Sequence, residues 1–240
     1  MFEGVLFILC AIASFMISCM VHEIGHVLIG LKEGFDFALF VVGPFGLKKN
    51  EAGKIVFYIE KDPSLWGGVA ATVPKDKNEN NYKKFGRVLL AGPIASFLFG
   101  ALCLPFGIMT DNMFLSLLGY MPLAMGLVTI LPLRNGAFYS DGGRWLRMNK
   151  WESTRAVEMA TWNIIQETFV NKKLSDSNLN DIKVLTSDDD YRTQYVGHYF
   201  AHTYYKEVND KVKMKETVNT MDGLKGKVSK QMVTLYGVNK

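Results

Sequence analysis

The chain has 240 residues, of which 49% are hydrophobic and 21% are charged, and its formal net charge is +4. A chain of this length suits one or two domains. Ten of the basic residues lie from Lys32 through Arg87, whereas the N-terminal end and the short link at 110–112 carry only Glu3 and Asp111. This uneven distribution argues against a nucleic-acid-binding surface and follows the positive-inside rule of membrane proteins.

Apolar residues are concentrated in three uncharged blocks, at 4–21, 88–109 and 113–133. Each block is about 20 residues long, which is enough for a helix to cross the hydrocarbon layer of a bilayer. The sequence therefore predicts three membrane spans, at about 4–31, 86–109 and 112–133.

Prolines interrupt two of these spans. Pro93 should kink the second helix or mark its unwound start, and Pro122 and Pro132 should break the third. The first block has no basic segment before it and no small-residue cleavage site after it, so we expect a retained helix rather than a cleaved signal peptide.

The positions of the basic residues also predict the orientation in the cell membrane. The Lys-rich loop at 32–84 should lie in the cytosol, with the N-terminus outside and the C-terminal region in the cytosol. Within the loop, 36–42 and 54–60 are rich in β-branched and aromatic residues and are bounded by glycines, so short strands are expected there.

Beyond residue 144 the composition becomes that of a soluble helical segment, with apolar residues at helical spacing. We therefore predict a multi-pass, mainly α-helical membrane protein with a small β insertion. Its three-helix core should cover 1–147, and a C-terminal cytosolic helical region should cover 148–240.

The sequence His22-Glu23-Ile24-Gly25-His26 lies at the end of the first apolar block and matches the pattern H-E-x-x-H. Residues four apart lie on one face of a helix, so both imidazoles can reach one metal ion, with Glu23 beside it as a general base. Zinc suits two imidazole ligands and an open position for water. Ionisable residues at membrane depth are costly, which favours a functional role over snorkelling side chains.

Two histidines do not complete a catalytic zinc site, so a third ligand is needed. Asp141 is the candidate, because it follows the third span and returns to the side where His22 and His26 should lie. It is flanked by Ser140 and two glycines, and the glycines would allow an unwound backbone to aim the carboxylate at the metal.

Three motifs in this order resemble the site-2 protease family of intramembrane zinc metalloproteases: His22 to His26, Ala91-Gly92-Pro93 and Asp141-Gly142. The resemblance covers about residues 1–147. It implies one zinc ion per chain, held by His22, His26 and Asp141, with Glu23 as the catalytic glutamate.

The resemblance also implies a function and a location for the site. The protein should be an endopeptidase that cleaves membrane-embedded or membrane-proximal polypeptides by regulated intramembrane proteolysis, near the cytosolic side. Two positions depart from the family pattern, since Ser96 and Thr129 stand where the family usually has asparagine. Both keep a polar group, and we expect the site to survive.

Other interpretations stay open at this point. The chain could be a non-catalytic, zinc-containing membrane scaffold that binds a protein partner through its helical tail, although such a site would not need Glu23. A zinc transporter is disfavoured, because three spans and one histidine pair offer no through-path. A second same-face pair, His198 and His202, has no glutamate beside it and indicates a partly exposed helix face.

Overall fold

The structure is a computed structural model that describes residues 2–50, 52–76, 78, 80–150, 152–171 and 173–238. The chain divides into two compact units. The first comprises Met1–Leu133 and Ser140–Trp145, and the second comprises Arg134–Tyr139 and Leu146–Lys240. The two domains expected from the sequence, a core at 1–147 and a C-terminal helical region at 148–240, stay a prediction.

The first unit is built on three long helices, each apolar and long enough to cross a membrane. They are α1 (Phe2–Lys32), α2 (Asn81–Met109) and α3 (Met113–Ile130). The predicted mainly α-helical membrane fold with a β insertion is therefore confirmed.

The first helix has the burial pattern of a helix surrounded by lipid. Its large apolar side chains are exposed, including Phe7, Leu9 and Ile12, whereas the small polar residues Ser14 and Ser18 are completely buried. In water this arrangement would be unfavourable. In a bilayer, however, small and polar residues typically pack at the interfaces between helices, and large apolar side chains face the lipid.

Small residues also allow α2 and α3 to approach closely. A Cβ atom on Gly100 would lie 2.7 Å from the carbonyl oxygen of Gly119, and one on Gly126 would lie 3.0 Å from that of Pro93. The helices therefore meet backbone to backbone at these positions, as is typical of membrane helix pairs.

One of the two predicted breaks in α3 is absent, and α2 has no unwound start at its proline. Pro93 lies inside α2 rather than at an unwound start, and Pro122 lies inside an unbroken α3. Packed neighbours in a membrane bundle can accommodate a helical proline. Pro132 has the expected effect, because α3 ends at Ile130 and the residue before the proline, Leu131, is extended.

Between α1 and α2 lies a four-stranded antiparallel sheet in the order β3-β2-β1-β4. Its strands are β1 (Asp36–Val42), β2 (Phe45–Lys49), β3 (Ile55–Ile59) and β4 (Val69–Val73). The sequence predicted β1 and β3 but missed β2 and β4. β2 has no β-branched residue and ends in two lysines, and two of the five residues of β4 are alanines, which are not typical of strands.

A two-stranded hairpin follows α3, formed by β5 (Arg134–Asn135) and β6 (Phe138–Tyr139). Next comes α4 (Asp141–Asn149), whose first residues belong to the membrane unit. The second unit then contains α5 (Glu152–Asn171), α6 (Leu179–Thr186), α7 (Tyr191–Glu207), α8 (Lys211–Leu224) and α9 (Lys230–Tyr236).

The helices of the second unit pack around their own apolar core. Ile164, Leu185, Tyr195 and Met221 are each at most 2% exposed within it. The side chain of Asp190 caps α7 by accepting from the backbone N–H of Arg192. The three aspartates at 188–190 therefore directly precede the helix, which begins at Tyr191.

Candidate metal centre

Two histidines of α1 form the first part of the candidate site. His22 and His26 are one helical turn apart, so both rings lie on the face of α1 that packs inside the unit. His22 is only 4% exposed, and its Nε2 atom lies 3.2 Å from the Nε2 atom of His26. The H-E-x-x-H spacing therefore brings both imidazoles to one point.

Asp141 supplies the third group of the site. Its Oδ2 atom lies 3.1 Å from Nε2 of His22 and 3.5 Å from Nε2 of His26. The structure thus brings together three residues that the sequence proposed as ligands, although Asp141 is 119 positions from His22.

The triangle of these three atoms has the dimensions of a zinc site. Ligand atoms about 2.0–2.1 Å from a tetrahedral zinc ion lie about 3.3 Å apart. The observed separations are 3.1, 3.2 and 3.5 Å. Two imidazoles and one carboxylate are also a common ligand set of catalytic zinc, which leaves a fourth position for water.

The hydrogen bonds on the far side of each ring favour the same arrangement. The Nδ1–H of His26 donates to the carbonyl oxygen of Val88 over 2.7 Å, and Nδ1 of His22 lies 3.0 Å from the hydroxyl oxygen of Ser96. With a proton on Nδ1, each neutral ring presents an unprotonated Nε2 to the centre. Three lone-pair donors then converge, which is unfavourable unless a cation lies between them.

A glycine of α2 leaves room for the centre. A Cβ atom on Gly92 would lie 2.6 Å from Cε1 of His26 and 2.7 Å from Nε2 of His22. A second close approach, between Gly25 and the carbonyl oxygen of Ala91, brings α1 against the same turn of α2. The Ala91-Gly92-Pro93 motif therefore provides space beside the two imidazoles.

Asp141 is aimed by a helix and not by an unwound backbone, so the prediction about its two glycines was wrong. It is the first residue of α4, and neither Gly142 nor Gly143 has a positive φ. Gly142 instead packs its Cα directly against the carbonyl oxygen of Ile130, where a Cβ atom would collide. The glycine is needed for close packing of α4 on the end of α3.

The electrostatic environment keeps Asp141 ionised. Burial disfavours its charged form, but His26 and His22 outweigh burial when their rings are protonated and positively charged, so the pKa of the carboxyl group then lies well below its usual range. A zinc ion at the same place would supply the positive charge instead of the rings. The residue is therefore available as an anionic ligand at neutral pH.

Glu23 lies between the two histidines in sequence and next to the sheet in space. Its side chain is 9% exposed and interacts electrostatically with His22, His26 and Asp141. A Cβ atom on Gly68 would lie 2.9 Å from Oε1 of Glu23, and the backbone of Ala70 also faces the carboxylate. The turn before β4 thus closes over the group that the sequence assigns as general base.

Thr129, which stands where the family usually has asparagine, does not join this group, because its hydroxyl donates to the carbonyl oxygen of Met125.

The second histidine pair also differs from its prediction. His202 is buried at 8% exposure rather than partly exposed, and burial lowers the pKa of both His198 and His202. Within the described part of the chain, no third His, Cys, Asp or Glu joins the pair in a metal-binding group.

Sequence reasoning missed three partners of the site: the Val88 carbonyl, the Ser96 hydroxyl as a partner of His22, and the Gly68 turn beside Glu23. The available signals were the place of Ser96 in the family pattern and the Gly67-Gly68 pair. A positive φ of 105° at Gly68 requires glycine there, but a sequence does not say what such a turn approaches.

Comparison with known proteins gives one match. The model of a family described as Peptidase family M50 matches residues 10–237. The matched range includes both histidines, Glu23 and Asp141. No curated protein and no solved structure matches the chain.

Proposed function

The chain belongs to peptidase family M50, the site-2 protease family, and from this premise we propose that it is a zinc-dependent endopeptidase of the membrane. The proposed zinc ligands are His22, His26 and Asp141, and the proposed general base is Glu23. The observation that carries the proposal is the triangle of three ligand atoms with a buried glutamate beside it.

Zinc bound there would lower the pKa of a water molecule to about 7 and would polarise the carbonyl group of the scissile bond. Glu23 then has two roles, first as a general base and later as a general acid. As a carboxylate it accepts a proton from the attacking water, and it later donates that proton to the nitrogen of the leaving amine. The C–N bond breaks, and the products are a free carboxylate and a free amine.

The membrane unit determines which substrates can reach the site. The proposed ligands come from α1 and from the first residue of α4, and both positions belong to the unit that contains the three apolar helices. We propose that the substrates are transmembrane or membrane-associated polypeptides, cleaved by regulated intramembrane proteolysis near the cytosolic face. The lipid bilayer is the second partner, and the helical region after 147 is proposed to bind a protein partner in the cytosol.

The direct test is the metal content of the full-length protein. Protein purified in detergent is expected to contain one zinc ion per chain, measured by mass spectrometry. Chelation should abolish cleavage of single-span peptides in liposomes, and added zinc should restore it, because water activation depends on the metal. Chelator-resistant cleavage, or a preparation that takes up no zinc, would contradict the proposal.

A substrate must also present an extended backbone, since a helix hides its carbonyl groups in hydrogen bonds. An exposed sheet edge could pair with such a backbone. β1 is an internal strand and β3 lies at the far edge, whereas β4 is the edge strand beside Glu23. We therefore propose that the substrate adds to the sheet along β4.

This docking mode predicts an alternating pattern in the substrate. Replacing single backbone amides by esters removes one N–H each, and only every second N–H of an added strand points towards its neighbour. We expect kcat/KM to fall about fivefold at alternate positions, the effect of about one hydrogen bond. The intervening positions are the matched controls, and equal effects at all positions would refute docking on β4.

A further inference from the structure

The hydroxyl group of Ser96 lies behind His22, on the side away from the metal centre. Ser96 is one helical turn beyond Gly92 on α2 and is completely buried. Its Oγ atom lies 3.0 Å from Nδ1 of His22, whose side chain is itself buried. The contact therefore occurs out of reach of bulk water.

This contact affects whether Nδ1 or Nε2 of a neutral His22 ring carries the proton. A metal ligand needs Nε2 unprotonated, so the proton must be on Nδ1 and must have an acceptor. The Ser96 oxygen lies 3.0 Å from Nδ1, where it can accept this proton, and the direction of the bond is set by the tautomer of the ring. For His26 the same task is done by the backbone carbonyl of Val88, which no side-chain substitution removes.

The opposite tautomer of His22 would compete with metal binding. With the proton on Nε2, the ring could donate to Oδ2 of Asp141, which is only 3.1 Å away. His22 and Asp141 would then hydrogen-bond to each other, and two of the three ligand atoms would no longer be available to bind the ion. A hydrogen bond to Nδ1–H disfavours this closed pair.

We propose that Ser96 is a positioning residue that selects the metal-binding tautomer of His22. This inference rests on the proposed function, since it assumes that His22 is a zinc ligand. It concerns a residue that does not touch the metal, the water or the substrate. Its effect is therefore expected in the affinity for metal first and in proteolysis second.

The test compares zinc affinity in four variants by competition with a chelator. Ser96→Ala should weaken zinc binding about 10- to 100-fold, as is usual when the outer partner of a histidine ligand is lost. Ser18→Ala is the matched control, because Ser18 is equally buried but bonds only to the backbone carbonyl of Ser14. It should bind zinc like the wild type.

Ser96→Thr and Ser96→Val separate the hydroxyl from the shape of the side chain. Threonine and valine have nearly the same volume, but only threonine has a hydroxyl group. The threonine variant should therefore retain zinc affinity, and the valine variant should lose it. Cobalt(II) provides a second readout, since its visible spectrum reports the coordination geometry. The spectrum of the threonine variant should match the wild type, and that of the valine variant should not.

Two results would overturn the inference in distinguishable ways. If the wild type binds zinc and Ser96→Ala or Ser96→Val binds it equally well, Ser96 does not position His22, and the proposed function is untouched. If the wild type binds no zinc, the proposed function fails and this inference fails with it. Thermal unfolding of the metal-free proteins shows whether a loss of affinity reflects a general loss of stability.

Discussion

Glu23→Gln is expected to retain zinc and to lose proteolysis. Glutamine has nearly the same shape as glutamate, so the buried position beside His22 and His26 should remain filled. It cannot accept a proton from water, and loss of a general base costs about 10²- to 10⁴-fold in kcat. The measurement is the cleavage rate in liposomes, together with zinc content.

The control for this variant is Glu3→Gln, the same substitution at the exposed opposite end of α1. It should cleave at the wild-type rate. Wild-type activity in Glu23→Gln would remove this residue from the mechanism. Should the wild type itself bind zinc but cleave no peptide, the scaffold interpretation would be favoured, because a structural site has no need of a base.

Asp141→Ala is expected to abolish zinc binding at stoichiometric concentrations. Two imidazoles would remain, and a catalytic zinc site in a protein has three protein ligands. Since loss of an outer-sphere partner alone costs about 10- to 100-fold in affinity, loss of a ligand should cost more than about 100-fold. Zinc content after dialysis gives the first answer, and competition with a chelator gives the second.

Asp189→Ala is the matched control, because this aspartate is exposed and lies in the second unit. It should contain as much zinc as the wild type. Unchanged zinc in Asp141→Ala would show that the third ligand has been assigned wrongly, and the role of the segment after α3 would have to be reconsidered.

The residues of the site could be predicted from sequence where a local rule applied. The spacing of His22 and His26 follows directly from the helical repeat, and the long apolar block made the helix itself certain. Asp141 required a topological argument, that three spans return the chain to the same side. Neither argument depended on knowing how the helices pack.

The remaining features depended on packing between distant segments. Ser96 is 74 residues from His22, and its position three residues after Pro93 gave no sign of which side chain it meets. The role of the glycines after Asp141 was predicted wrongly for a similar reason. Gly142 has no special backbone angle, and its role is visible only when α4 lies against the carbonyl of Ile130.

The sheet shows the same limit at the level of strands. β1 and β3 have enough β-branched and aromatic residues to be recognised alone, whereas β2 and β4 depend on the neighbours with which they pair. The docking edge could not be chosen without the strand order, because an edge is a property of the sheet and not of a strand.

The separation of His22 and Asp141 along the chain also has a consequence for biogenesis. The proposed ligands join the first and the last helices of the membrane unit, so a metal ion there closes a loop of 119 residues. Like any cross-link over a long loop, it would restrict the unfolded chain and favour the assembled bundle. If Asp141 is the third ligand, the centre cannot be completed until α4 has been synthesised, and the nascent chain would be inactive while its helices enter the bilayer.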